Sequence, residues 1–303
     1  MEFVEVGDGA YCLAGATNIG VLVSVDGDAV LVDSGLDQSI ARRCIREVSE
    51  RGWRVRAVIN THAHADHVGG NAELKRRTSC EVVAPAFEEA WIRYPLSEPL
   101  ALFVGASPPQ GLRNKFTMAE ACGVDRVLEP GEHEVFGILF EAVDLKGHSP
   151  NQTGVIAGGA LFCGDAFFQE EQLHKHVIPY NVDIGAQLDT LAKVPALAAK
   201  SVIPGHGGVC RDVNGAVEAN VARIRTVTGL ALENAGTGGV GAGAEAILDA
   251  VCRTLGVAPA SLAHYYLLLS AVNAHLSYLE SQGLAQPRIE GAALRWRKAG
   301  GSQ

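Results

Sequence analysis

The chain has 303 residues, an apolar fraction of 48% and a formal net charge of −9 at pH 7. Charged residues make up only 19% of it, which excludes long disordered tracts and is typical of a packed globular protein. The acidic balance disfavours a nucleic-acid partner, because phosphate binding needs clustered lysine and arginine.

Two further compositional features bear on cellular location. The seven cysteines are widely spaced and include no CxxC pair, which argues against a disulfide framework and a cysteine-type zinc site. The chain contains no apolar run of bilayer length, and its start, MEFVEVGDGAYCLAG, has no export signal pattern. We therefore expect a cytoplasmic protein without a membrane contact.

The first part of the chain alternates strands and helices. NIGVLVSVDGDAVLVDSG predicts two strands joined by an Asp-Gly hairpin turn, and SIARRCIREVSERG has the apolar spacing of a helix. VRAVINT predicts a buried strand, NAELKRR a helix and CEVVAP another strand. This alternation indicates an α/β architecture.

Residues 86–126 interrupt that alternation, since they carry aromatic residues and prolines without a clear period. Such an insertion is either a lid that lines the substrate or a helical decoration over one edge of the core, and the sequence favours neither. Three of its aromatic residues are candidates for a substrate pocket: Trp91, Tyr94 and Phe116.

The last part of the chain changes character near residues 208–218. Before that point, EVFGILFEAVDL, TGVIAGGALFCGDAFF and SVIPGHG predict strands; beyond it, three helical runs precede a short extended finish. We therefore divide the chain into a main domain, residues 1–215, and a helical segment, residues 216–303. The run LAHYYLLLSAVNAHLSYLE is apolar on more than one face, which predicts burial against the main domain or a partner subunit.

A histidine cluster directly follows the predicted strand VRAVINT. In THAHADH, residues 61–67, His62, His64 and His67 surround Asp66. Catalytic zinc sites use histidine nitrogen and carboxylate oxygen and keep one position open for water. The cluster by itself offers too few ligands for a centre of two metals.

Three downstream residues supply what the cluster lacks. His148 lies in DLKGHSPNQTG, Asp165 in ALFCGDAFF and His206 in VIPGHGG, each at the end of an apolar strand. Open α/β sheets hold their ligands at such strand ends. Gly205 and Gly207 flank His206 and allow a sharp turn or a close approach of the backbone.

In this order and context, the residues resemble the metallo-β-lactamase superfamily, in particular its glyoxalase II-like branch, over roughly residues 3–215. The resemblance implies an αββα sandwich of two mixed sheets flanked by helices, with the metal site at one edge. Asp33, in LVDSGL, falls on the family's early aspartate, which orients the metal ligands. The implied ligands are His62, His64 and His148 for one metal, Asp66, His67 and His206 for the other, and Asp165 as the bridge.

The function so implied is a dinuclear metal-dependent hydrolase, in which a metal-bridging hydroxide attacks a small ester, thioester or lactone. Asp66 is the expected catalytic acid–base residue, because its carboxylate can both bind metal and accept a proton. Two divalent ions are expected, zinc first, although iron and manganese also suit these ligands. The second ligand set lacks cysteine, so β-lactamase activity would be at most promiscuous. Tyr180, in VIPYNVD, is a further candidate for the substrate pocket.

Alternative functions stay open on this scaffold. A phosphodiesterase or nuclease of the same superfamily is disfavoured by the acidic charge and by the short stretch between His148 and His206. An iron-dependent oxygenase similar to persulfide dioxygenases would need only part of the ligand set.

The helical segment resembles the winged-helix-like end of some lactamase-like hydrolases. Its near-neutral charge argues against DNA binding, and it has no recognisable basic pair for a glutathione clamp. We expect it to pack on the main domain, with homodimerisation as the open alternative.

Overall fold

Two mixed β-sheets face each other at the centre of the molecule. The structure, a computed structural model, describes residues 2–236 and 241–299. In the first sheet, neighbours are antiparallel from the first strand to the fourth and parallel from the fourth to the seventh. Its strands, in sequential order, are β1 (Glu2–Gly7), β2 (Ala10–Ala14), β3 (Ile19–Val23), β4 (Asp28–Val32), β5 (Arg54–Ile59), β6 (Glu81–Pro85) and β7 (Arg126–Leu128). The predicted Asp-Gly hairpin joins β3 to β4 and is confirmed.

The second sheet has five strands and lies against the first. Its order is the reverse of the chain order, and its neighbours are antiparallel except for the last two strands of the chain, which are parallel. These strands are β8 (Gly131–Val135), β9 (Ile138–Asp144), β10 (Thr153–Ala157), β11 (Ala160–Gly164) and β12 (Ser201–Pro204).

Helices cover the outer face of each sheet. They are α1 (Gln38–Ser49), α2 (Ala65–Val68), α3 (Asn71–Thr78), α4 (Glu88–Arg93), α5 (Ser97–Leu102), α6 (Glu170–Lys175) and α7 (Ile184–Lys193), with 3₁₀ turns at Gln110–Leu112 and Val194–Leu197. The Asp37 carboxylate caps α1 by accepting hydrogen bonds from the backbone N–H groups of Ser39 and Ile40. The same helix buries Cys44 and Val48, which lie four residues apart on one face.

Three apolar cores hold these layers together. Ile59 and Phe140 belong to the core between the sheets, Leu31 and Leu74 to the core beneath α1 and α3, and Leu161 to the core beneath α7. The layer order is therefore helix, sheet, sheet, helix, and the expected αββα sandwich is confirmed. It brings the loops at the ends of β5, β9, β11 and β12 to one edge of the molecule.

A helical segment with its own core completes the chain. It comprises α8 (Val213–Asn234), α9 (Ala244–Leu255), α10 (Leu262–Ser281) and an antiparallel hairpin of β13 (Ala285–Glu290) and β14 (Ala293–Lys298). The expected division at residues 215/216 falls within the first turn of α8, and as a domain boundary it stays a prediction. Within the described part of the chain, no helix has both the length and the apolarity needed to cross a membrane.

The helix α10 packs on the main domain as well as on its own segment. Its Ala274 joins the core beneath α7, and the ring of Tyr266 meets that of Phe103 edge-on, with 5.5 Å between centroids. This burial accounts for a helix that is apolar on more than one face. Homodimerisation through this segment stays a prediction.

Candidate metal centre

The seven candidate metal ligands lie on four loops at one edge of the sandwich. THAHADH leaves β5 and runs into α2; His148 lies between β9 and β10; Asp165 follows β11; and His206 follows β12. Since β5 belongs to one sheet and the other strands to the second, the site exists only where both sheets meet.

Glycines make this convergence sterically possible. A Cβ on Gly205 would lie 2.1 Å from Oδ1 of Asp165 and 2.7 Å from Cε1 of His67, so no other residue fits there. Gly164 turns the chain into Asp165 with a φ of +51°, and a Cβ on it would lie 2.7 Å from Oγ1 of Thr61. At both positions the backbone approaches the site too closely for a side chain.

The side chains form three overlapping groups, each able to hold a metal ion. The groups are His62, His64 and His148; His62, His67 and Asp165; and Asp66, His67 and His206. Asp165, in the second group, also approaches a histidine of each of the other groups. Its Oδ1 lies 3.4 Å from Nε2 of His67, and its Oδ2 lies 3.6 Å from Nε2 of His148. The structure thus brings together every residue expected to bind metal, and their role as ligands stays a prediction.

Several buried nitrogen and oxygen atoms in this site have no hydrogen-bond partner in the described part of the protein. Nε2 of His62, Nε2 of His67 and Oδ1 of Asp165 are buried without a hydrogen-bond partner. Buried polar atoms are nearly always paired, so three such atoms converging on one point need a common partner. A divalent cation with nitrogen and oxygen ligands would supply that partner.

Hydrogen bonds to the other ring nitrogen direct each Nε2 lone pair into the site. Nδ1 of His67 donates to Oδ2 of Asp33 at 2.8 Å, Nδ1 of His148 to the Tyr180 carbonyl at 2.9 Å, and Nδ1 of His206 to the Ala16 carbonyl at 2.6 Å. In the neutral imidazoles, these bonds select the tautomer in which Nε2 is free to bind a metal. Nε2 of His148, so oriented, lies 2.9 Å from Nδ1 of His64, so these two ring nitrogens point toward the same position in the site.

Asp33 also organises the histidine loop. Its Oδ1 accepts from the backbone N–H of Thr61 at 2.8 Å, and its Oδ2 accepts from the Thr61 hydroxyl at 2.9 Å. Since that hydroxyl donates to Asp33, it accepts from Nδ1 of His62 at 3.0 Å. Asp33 therefore orients His67 directly and His62 through Thr61, the position in which the resemblance placed it.

At His62, His64 and Asp165, burial and neighbouring charges favour the protonation states that metal binding needs. Burial lowers the pKa of His62 well below its usual value and that of His64 to about 3, and neighbouring imidazoles add to both effects. For Asp165, burial acts in the opposite direction, but His206 and His67 outweigh it and hold the carboxyl pKa low. Neutral imidazoles and an ionised carboxylate are the forms that bind metal. At His67 and His206, burial lowers the pKa but neighbouring carboxylates outweigh it and raise it, so a metal ion bound by these two residues would displace a proton.

Comparison with known proteins identifies the family. Residues 13–206 match the family model described as the metallo-beta-lactamase superfamily. The chain belongs to the metallo-β-lactamase superfamily. It is 32% identical over 141 residues to a hydroxyacylglutathione hydrolase from Methylococcus capsulatus, a match covering 45% of this chain and 43% of that protein. It is 26% identical over 174 residues to one from Rhodospirillum rubrum, covering 55% and 54%. The chain thus spans about half the length of the curated relatives it matches.

The similarity to solved structures extends beyond the region that the family model matches. A beta-lactamase domain protein from Burkholderia ambifaria has a TM-score of 0.75 at 18% identity, covering 98% of this chain and 94% of that chain. A metallo-beta-lactamase family protein from Thermus thermophilus has a TM-score of 0.73 at 20% identity, covering 96% and 98%. At such identities these likenesses show the fold alone, and they include the helical segment.

A cavity of about 350 Å³ opens onto the metal centre, and we call it the metal-centre cavity. Five of the candidate ligands line it: His64, Asp66, His148, Asp165 and His206. Its remaining walls include Leu36, Phe116, Phe168, Tyr180 and Leu267. Two predicted pocket residues, Tyr180 and Phe116, therefore lie on it. The other two do not: Trp91 packs against the core beneath α1 and α3, and Tyr94 is exposed.

The irregular segment 86–126 carries a residue that the sequence does not reveal as part of the site. Glu88, at the start of α4, is buried and accepts three hydrogen bonds. Its Oε2 accepts from the backbone N–H of Ala63 at 3.0 Å, and its Oε1 accepts from the Ser149 hydroxyl at 2.7 Å and the Asn151 N–H at 2.9 Å. Glu88 therefore ties the loop of His62 and His64 to the loop of His148.

Other cavity residues also lack a sequence signal. Glu98, on α5, and Leu267, on α10, both line the metal-centre cavity. His176 lies at its rim, where its ring stacks on Phe168 with 5.6 Å between centroids. The helical segment thus supplies part of the cavity wall through Leu267, although it lies outside the residues that match the family model.

Proposed function

We propose that this protein is a dinuclear metal-dependent hydrolase of small esters, thioesters or lactones. The observation that carries the proposal is the convergence of three buried atoms without hydrogen-bond partners, Nε2 of His62, Nε2 of His67 and Oδ1 of Asp165, within three overlapping groups of candidate ligands. The curated relatives are named hydroxyacylglutathione hydrolases, which supports a thioester as the first substrate class to test.

The residues present fit two divalent ions, most suitably zinc. His62, His64 and His148 would hold one ion and Asp66, His67 and His206 the other, with Asp165 between them. Bound there, such ions would lower the pKa of a water molecule to about 7 and polarise a carbonyl oxygen. The protein's own contribution is to orient the ligands through Asp33 and to keep the donors buried.

Asp66 is the proposed proton acceptor. Its Oδ2 lies 3.3 Å from Nε2 of His206, and no described residue donates a hydrogen bond to its Oδ1. Burial raises the pKa of Asp66, but His67 and His206 outweigh burial and hold it low, so the carboxyl is ionised at neutral pH. An ionised carboxylate on the cavity wall can take up the proton released when a nucleophilic water attacks.

The metal-centre cavity supports carbonyl substrates over phosphodiesters. Within the described chain, its lining includes no lysine or arginine that could hold a phosphate. Apolar walls beside the ligands suit a short acyl chain, and the volume of about 350 Å³ suits a small molecule.

The test is a substrate panel on protein of measured metal content. Thioesters, lactones, phosphodiesters and β-lactams are assayed with chelated protein and with the same protein reloaded with zinc, manganese or iron. We expect two metal ions per chain, loss of activity on chelation, and highest kcat/KM for a carbonyl ester or thioester. The matched variants Asp165→Asn and Glu170→Gln compare the bridging carboxylate with an exposed one, and only the first should lose metal and activity.

Two results would contradict the proposal. One iron per chain together with oxygen uptake would indicate an oxygenase in place of a hydrolase. A higher kcat/KM for phosphodiesters than for every ester would move the protein to the nuclease branch of the superfamily.

A further inference from the structure

The metal-centre cavity contains a buried carboxyl that the proposed mechanism does not use. Glu98 lies in the first turn of α5, is only 7% exposed, and lines the cavity together with Asp66 and Phe116. None of the residues in the described ranges forms a hydrogen bond or an ion pair with its side chain. Because no group of these residues pairs with this carboxyl and it faces the cavity, it is free to form hydrogen bonds with a molecule bound there.

The surroundings of Glu98 decide which kind of partner fits. Burial raises the pKa of its carboxyl well above the usual value, and the charges of Asp66 and Glu88 add to this effect. A carboxyl without a protein partner accepts hydrogen bonds from a hydroxyl or an amide of a bound molecule, and in its neutral form it also donates one. Its complement is an uncharged group of the same kind, such as a hydroxyl or an amide.

The cavity also lacks a site for an anionic substrate tail. In residues 2–236 and 241–299, no lysine or arginine lines it. Lys175 lines the two adjoining cavities, but its Nζ already pairs with Oε1 of Glu171 at 2.7 Å. A carboxylate that reached past the metal ligands would face Glu98 and apolar walls, where no described protein side chain would supply a counter-charge for the hydration it loses.

We infer that Glu98 is a specificity-determining residue that selects uncharged acyl groups carrying a hydroxyl or amide and rejects acyl groups that end in a carboxylate. The inference rests on the proposed hydrolase function and names its substrate class. The inference predicts that thioesters whose acyl group ends in a carboxylate are poor substrates of this protein.

The kinetic test uses the full-length, zinc-loaded protein and thioesters with a common thiol and acyl chains of equal length. The chains end in a methyl, a hydroxymethyl, a carboxylate or an ammonium group. We expect kcat/KM for the hydroxymethyl substrate to exceed that for the carboxylate substrate by at least about tenfold, since burying an unpaired charge is costly.

Three variants connect that preference to Glu98. Glu98→Leu should reduce the preference for hydroxymethyl over methyl, measured as the ratio of the two kcat/KM values, by about fivefold to tenfold, the worth of one buried hydrogen bond. Glu98→Gln keeps a donor and an acceptor and should retain the preference. Glu170→Gln, an exposed change on α6, should match the wild type. Thermal unfolding of each variant verifies that it is folded.

Each unexpected kinetic result overturns the inference in a defined way. Equal kcat/KM for the carboxylate and hydroxymethyl substrates would remove the selection against anions. Preference for the ammonium substrate, lost in Glu98→Gln, would show that Glu98 is ionised and recognises a cation. An unchanged hydroxymethyl preference in Glu98→Leu would remove Glu98 from recognition.

A binding measurement separates this inference from the hydrolase proposal. Butanethiol, 4-mercaptobutanol and 4-mercaptobutanoate bind zinc through sulfur and place different tails in the cavity. Calorimetric titration of the zinc-loaded protein should rank the alcohol tightest and the carboxylate weakest, and Glu98→Leu should bring the alcohol to the Kd of butanethiol. This ranking without hydrolysis of any ester would overturn the hydrolase proposal and support the inference. Hydrolysis of an ester, together with tightest binding of 4-mercaptobutanoate, would support the hydrolase proposal and overturn the inference about Glu98.

Discussion

Replacing Glu88 by alanine tests whether a buried carboxylate outside the ligand set holds the two metal-binding loops together. Three hydrogen bonds to this group would be lost, each worth about 1.5–3 kcal/mol when the acceptor is charged. The loss is partly offset because burial raises the pKa of Glu88, which means that its desolvation is not fully compensated in the folded protein. We therefore expect Glu88→Ala to reduce the free energy of unfolding by about 2–4 kcal/mol.

The effect on metal binding should be unequal between the two ions. Ala63, whose N–H binds Glu88, lies between His62 and His64, and Ser149 directly follows His148. Loss of an orienting partner typically lowers metal affinity about 10–100-fold, and here the loss should fall on the ion held by these three histidines. Competition with a chromophoric chelator measures both affinities, and urea unfolding of the metal-free protein measures stability separately.

Two further variants make this test specific. Glu88→Gln keeps one acceptor oxygen but turns an amide N–H₂ toward the Ala63 N–H or the Asn151 N–H, so it should cost about 1–3 kcal/mol. Glu89→Gln, the neighbouring residue, alters only a surface ion pair with Arg93 and should change stability by less than about 1 kcal/mol. Glu88 does not hold the two loops together if Glu88→Ala unfolds at the same urea concentration as Glu89→Gln and binds both ions with wild-type affinity.

Three other predictions follow from the site. Gly205→Ala should lower metal content below two ions per chain and reduce activity at least about 100-fold, because its Cβ would displace Asp165. The control, Gly229→Ala, lies in α8 with open space around it and should leave stability unchanged or increase it. Asp33→Asn should weaken metal binding about 10–100-fold in chelator competition, with Ser39→Ala as an exposed control, and unchanged affinity would contradict the orienting role. In metal-free protein, burial lowers the pKa of His206 but Asp165 and Asp66 raise it to about 10. The resulting stabilisation is complete below pH 6.5 and is lost as pH rises toward 10. His206→Gln should therefore flatten this part of the curve of unfolding free energy against pH, measured with urea. A slope identical to that of the wild type would contradict the role of His206.

Much of the fold could be predicted from sequence because its signals are local. The Asp-Gly turn between β3 and β4 and the apolar face of α1 each depend on residues within one or two turns of each other. The order of the seven candidate ligands, each at the end of an apolar strand, also indicated the family. Substrate identity had no comparable pattern, since residues 86–126 have no period to interpret.

Only the tertiary structure decided which residues of that segment reach the site. Glu88 meets Ala63 across 25 positions and Asn151 across 63, so no local spacing could connect them. Trp91 and Phe116 are both aromatic residues of this segment, and nothing in the local sequence distinguishes them. In the structure, Trp91 packs against the core, whereas Phe116 lines the cavity. The physical reason is that sequence patterns record which face of an element is apolar, whereas a pocket forms where separate elements meet. THAHADH by itself determined four candidate ligands; the packing of both sheets, α5 and α10 decided what can approach them.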